Sequence, residues 1–104
     1  MDLDAVRQRI NELKDRDMVM RQRAIEALAS MGADTAEAIA ALTLALRDTS
    51  SGVRRRAAQA LANLGAAAES AVPELNEALR DRVHTVRNAA REALTAIKGA
   101  GGGG

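Results

Sequence analysis

The chain has 104 residues, 47% hydrophobic and 28% charged, and fifteen basic side chains nearly balance fourteen acidic ones for a formal charge of +1. That size fits one small domain, its near-neutral balance argues against nucleic acid and anionic membranes, and with no cysteine and one histidine it is expected to hold no metal or cofactor. No apolar run approaches the roughly 18 residues of a membrane span, and the opening MDLDAVRQR is acidic where a signal peptide is basic, so a cytoplasmic protein without a membrane segment is expected.

The chain repeats itself every 33 residues from Asp4 onward, in three copies that align without a gap. Seven positions are identical in all three: Ala5/Ala38/Ala71, Leu13/Leu46/Leu79, Asp15/Asp48/Asp81, Arg21/Arg54/Arg87, Ala24/Ala57/Ala90, Ala27/Ala60/Ala93 and Leu28/Leu61/Leu94. The rest vary, so the repeat fixes a scaffold and leaves its surface open.

Taken in chain order, each copy shows helical spacing of apolar residues twice, which predicts six helices and no strand. In the first copy, Val6, Ile10 and Leu13 mark one helix, and Met20, Ala24, Ala27, Leu28 and Met31 a second. Arg9 stands where Leu42 and Leu75 stand in the other copies, and Ile10 shifts the stripe by one residue, as a terminal capping helix tolerates. Gly32 is expected to end the second helix as a left-handed cap, and Asp34 with Glu37 reads as a capping box for the third.

The third helix is marked by Ile39, Leu42 and Leu46, and it is apolar nearly all round. Core packing against both neighbours is the expected reason for Leu44, with an exposed patch of Leu44, Ala40 and Ala41 as the alternative. Ser51 is the expected N-cap of the fourth helix, which carries Val53, Ala57, Ala60, Leu61 and Leu64 and ends at Gly65 as a second left-handed cap. Val72, Leu75 and Leu79 mark the fifth helix, with Pro73 in its first turn or two. Thr85 is the expected N-cap of the sixth, marked by Val86, Ala90, Ala93, Leu94 and Ile97 and closed by Gly99. Residues 100–104 are expected to be a flexible glycine-rich tail after a single domain of residues 1–99, in repeats of about 4–36, 37–69 and 70–99.

This two-helix unit, with Asp at its turn and Arg six residues later, resembles HEAT repeats. The wording AVPELNEALRD…TVRNAAREALTAI is most similar to the short bacterial subtype named after phycobilisome lyases. The resemblance implies an all-α superhelix, a HEAT-like solenoid of three two-helix repeats. It also implies a ladder of hydrogen bonds between Asp15, Asp48, Asp81 and Arg21, Arg54, Arg87, and second helices that line the concave surface.

Three consecutive arginines open the fourth helix. Successive helical side chains are separated by about 100°, so Arg54, Arg55 and Arg56 lie near 100°, 200° and 300° from core-facing Val53 and cannot form one patch. Arg54 is the ladder residue, Arg55 points away from the core, and Arg56 flanks the stripe as a solvated or intra-stack charge. The solvent side of the second helices then holds Gln22, Glu26, Arg55, Gln59, Asn88 and Glu92, joined by Arg91, which occupies the position of Ile25 and Ala58 in the copy expected to have no following neighbour.

These residues read either as an ordinary solvated face or as a groove that selects a protein partner by complementarity. A protein-binding, non-catalytic scaffold module is the preferred function, as a monomer or weak homodimer. The alternatives are a nucleic-acid backbone binder using Arg23, Arg55, Arg56 and Arg91, and a piece that assembles through its terminal helices or Leu44. No acid, base and nucleophile converge. His84 has no companion histidine for the His-Glu pairs of HEAT-like di-iron hydroxylases. Cys, Tyr and Trp are all missing, which argues against the lyase activity suggested by the subtype's name.

Overall fold

A computed structural model describes the backbone of residues 2–102 and the side chains of residues 2–99. Six α-helices follow one another: α1 (Leu3–Glu12), α2 (Met18–Ser30), α3 (Ala36–Ala45), α4 (Ser51–Leu64), α5 (Val72–Ala78) and α6 (His84–Gly102). A 3-10 helix, Gly65–Ala71, fills the link from α4 to α5, and no strand occurs among the described residues. Each odd helix packs on the even helix that follows it, and α2, α4 and α6 stack in order. The molecule measures 36 × 32 × 18 Å. A helix with its side chains is about 10 Å across, so the short dimension is two helices deep, as a solenoid of stacked hairpins requires.

The core lies between these two layers. Ala24, Ala57, Ala90, Ala60 and Ala93 are buried on the even helices beside Leu28, Leu61 and Leu94. Small side chains at such contacts let helices approach closely, which is how a core without any aromatic ring is filled. The first repeat is less well covered: Met20 and Ala27 are half-buried where Val53, Val86, Ala60 and Ala93 are buried, and Met31 is exposed.

Several helix ends differ from expectation, and each has a local cause. Gly32 (φ 61°) does close α2: Ala33 N–H donates to the Leu28 carbonyl and Gly32 N–H to the Ala29 carbonyl, the double bond pattern of a Schellman cap. Gly65 also has positive φ, but with φ 57° and ψ −135° it lies outside the left-handed helical well, and the chain turns straight into the 3-10 helix. Gly99 is no cap. Only Gly32 and Gly65 have positive φ among the described residues, and α6 runs through Gly99 to Gly102. Residues 100–102 of the expected flexible tail are therefore helical, and residues 103–104 lie outside the described residues.

The N-caps shift by one residue. Thr35, not Asp34, caps α3, its Oγ1 accepting from Ala38 N–H at 3.2 Å. From Thr35 the capping-box acid would have to stand at Ala38, so no box forms, and Glu37 pairs with Arg7 at 3.4 Å instead. Ser50 rather than Ser51 caps α4, and α6 begins at His84, inside which Thr85 cannot cap. Pro73 stands in the first turn of α5, where its missing N–H costs no helical bond.

The largest departure is Leu44, which is 72% exposed. α3 buries Ala38, Ile39, Leu42 and Ala45. Leu44 comes two residues after Leu42, about 200° round the helix, so it faces away from that stripe like its repeat mates Asn11 and Glu77.

Candidate functional site

The turn aspartates have the same local task in all three repeats. The Oδ1 atoms of Asp15, Asp48 and Asp81 accept the backbone N–H two residues on, at 2.8, 2.9 and 2.9 Å, and so close the turn before each even helix. The arginines link these turns. Arg21 donates through Nε and Nη2 to the Asp48 carboxylate at 2.9 and 3.0 Å, and Arg54 does the same to Asp81 at 2.8 and 3.1 Å. Their Nη1 atoms turn back onto the preceding turn of their own repeat, Arg21 onto the carbonyls of Asp15 and Arg16, Arg54 onto those of Asp48 and Thr49. Among the described residues Arg87 keeps only the backward bond, to the Asp81 carbonyl at 2.7 Å.

The Arg21 and Arg54 forks thus each join two repeats and satisfy carbonyls that helix ends leave open. Burial pushes the Asp81 carboxyl up. The Arg54 hydrogen bonds, the Val83 N–H and the positive charges of Arg54 and Arg82 outweigh it, so Asp81 titrates below the usual aspartate value of 3.8. This ladder positions the even helices and thereby the surface they carry.

On that surface the seven expected ridge residues differ in their surroundings. Gln22 lies against the α-carbon of Gly52 at the start of α4, where any side chain would collide with its amide nitrogen. Glu26 accepts from Arg56 Nε at 2.6 Å, an ion pair between α2 and α4. Asn88 accepts from Arg91 Nη1 at 3.0 Å, and Arg91 and Glu92 are exposed. Arg55 is half-buried rather than pointing into open solvent, and Gln59 is exposed.

Glu26, Arg55 and Gln59 converge on one groove of about 320 Å³ between α2 and α4. Of its other polar lining residues, sequence reasoning misses Ser30 and Asn63, and places Arg56 beside the core stripe and in the nucleic-acid alternative. The position of Asn63 one turn beyond Gln59 was the available signal. Asn88, Arg91 and Glu92 lie further along α6 and do not line it. A second, apolar groove of about 420 Å³ lies on the odd-helix side, between Ile10, Leu13, Ala41 and Leu44.

Stacked two-helix units joined by an arginine–aspartate ladder define an α-helical repeat protein built to present a surface. The chain belongs to the HEAT repeat family, whose profile, described as HEAT repeats, matches residues 6–95. No curated protein matches it. Among solved structures it is similar to a chain in the complex of CpcE and CpcF of phycocyanin lyase from Nostoc sp. PCC7120, with 31% identity and a TM-score of 0.83. That match covers 89% of this chain and 37% of the other, so this chain spans little more than a third of its relative's length.

Proposed function

We propose that the chain is a non-catalytic protein-binding module whose partner docks in the α2–α4 groove. The observation that carries this reading is the convergence of Glu26, Arg55 and Gln59 on one polar groove, over a scaffold whose identical positions are core and ladder. The charge of Glu26 is taken up by Arg56, and among the described residues Arg55 has no ion pair. Arg55 therefore supplies the groove's free positive charge, while Gln59, Ser30 and Asn63 offer neutral donors and acceptors. Such a lining favours a partner segment with a carboxylate flanked by backbone amides. The similar Nostoc chain is part of a two-protein complex, which supports a protein partner.

The test is affinity capture from a lysate of the source organism with wild type and an Arg55→Glu, Gln59→Ala double variant, after circular dichroism has shown equal helicity. A protein retained by wild type and lost by the variant is the expected result. Equal retention by both places the partner elsewhere, and material released by nuclease replaces the protein partner with nucleic acid.

A further inference from the structure

One side-chain link recurs at both junctions between repeats, and two of the further links join the first repeat to the second alone. Arg21 and Arg54 grip the aspartate 27 positions on. Glu26 meets Arg56, 30 positions on, and Met18 Sδ meets Ser50 Oγ, 32 positions on. At the two ends of the stack the halves of these links stand open. Among the described residues no carboxylate meets Nε or Nη2 of Arg87, and no guanidinium reaches the carboxylate of Asp15. Glu92 and Arg23 are the repeat mates of Glu26 and Arg56, and both are exposed.

The open halves fit each other. A second copy continuing the 33-residue register lies 99 positions on, which is three repeats. The position 27 beyond Arg87 is then the second copy's Asp15, and the position 30 beyond Glu92 is its Arg23. The position 32 beyond His84 is its Asp17. Every one of these links sets an acid against a basic side chain, and none sets like charges together.

The same end carries uncovered apolar surface. Leu3 (50%), Met18 (48%), Val19 (43%) and Met31 (36%) are four of the five large hydrophobic residues exposed on the described chain. Met18, Val19 and Met31 stand in the first repeat and Leu3 just before it. The opposing end is polar. Arg91 occupies the place of Ile25 and Ala58, which are 1% and 0% exposed, so a contact there gives up the apolar packing found inside the chain.

We propose that the two ends of the stack form a head-to-tail contact between copies of this chain, in which Arg87 and Glu92 of one copy meet Asp15 and Arg23 of the next. The contact is heterologous and repeats the chain's own rotation, so it does not close into a dimer but extends. With Arg91 at its centre it is weaker than the intramolecular repeats and depends on concentration and salt.

Sedimentation velocity over a concentration series tests it, with wild type, Asp15→Asn, Glu92→Arg, Arg23→Glu and the double variant Glu92→Arg, Arg23→Glu. Positions 23 and 92 are exposed on helices, so melting temperatures should stay level. Wild type is expected to grow past dimer and to shrink with added salt. Each single charge reversal should weaken association about tenfold or more by placing like charges together. Asp15→Asn keeps the turn acceptor but loses the ladder charge, and should weaken it as well. The double reversal, or an equimolar mixture of the two single reversals, should restore growth. A monomer at every concentration overturns the proposal, as does failure of the rescue. So does a dimer that stops growing and ignores the reversals, which points to another face such as that around Leu44.

Discussion

Arg54 makes four hydrogen bonds that span two repeats, two to the Asp81 carboxylate and two to the carbonyls of Asp48 and Thr49. It is the only buried charged side chain among the described residues, and both members of its pair are 11% exposed. Removing one member of such a pair strands the other without water, so Arg54→Ala should cost about 3 kcal/mol. Arg55, one position on, makes no side-chain hydrogen bond among the described residues, and Arg55→Ala should cost less than about 0.5 kcal/mol. Urea unfolding of the two variants checks the difference, and equal costs would show that the ladder contributes nothing beyond an ordinary surface arginine. The pair also ties stability to acid. Because Asp81 titrates lower in the folded chain than in the unfolded one, its contribution is fully present above the ordinary value of 3.8. It is lost as pH falls through the lower folded value. Asp81→Asn should therefore lower stability at neutral pH and flatten its decline in acid, read from melting curves between pH 7 and about 2. A variant that declines as steeply as wild type would assign the acid sensitivity to other carboxylates.

Helix existence was legible in the sequence, because it depends on apolar spacing that three copies state three times over. Helix ends were not, because a cap is defined by backbone angles that spacing does not carry. Thr35 and Ser50 each stand beside the expected cap, and only the extended backbone at those two positions separates Asp34 from Thr35 and Ser51 from Ser50. Leu44 was misjudged for a different reason: a helix that is apolar all round does not say which side faces in. The polar repeat mates Asn11 and Glu77 were the better guide. The candidate groove was legible only in part, since helical angles place Arg55 and Gln59 on one side of α4 but say nothing of how closely α2 approaches. Gly32, which closes α2, and Gly99, inside α6, give opposite predictions. At Gly32 a side chain would meet no neighbour, but φ is 61°, so Gly32→Ala should cost about 1 kcal/mol through backbone strain alone. At Gly99 a side chain also meets nothing and the backbone is helical, so Gly99→Ala should stabilise α6 by up to about 1 kcal/mol. Thermal melts of the two variants that shift in the same direction would show that α6 ends at Gly99 after all.

Across the whole molecule the repeats share a fold and seven identical positions, and are unequal in support. α4 buries Val53, Arg54, Ala57, Ala58, Ala60 and Leu61 and touches α2, α3 and α6. α1 buries only Val6 and packs on α2 and α3. Opening α1 exposes one fully buried side chain, worth about 2 kcal/mol of apolar burial, beside the half-buried Ile10 and Leu13. Opening α4 breaks the stack on both sides and severs the ladder at Arg54 and at the Asp48 turn that Arg21 grips. In a quasi-one-dimensional array, stability is a sum of each unit's own contribution and its contacts with neighbours, so the unit with two neighbours opens last. Native-state hydrogen exchange should accordingly find the slowest amides in α4, at or near the free energy of global unfolding, with α1 opening at a clearly lower cost. Protection that is uniform from α1 to α6 would mean that the three repeats open as a single cooperative unit, so that the ladder couples them too strongly for an end to fray alone.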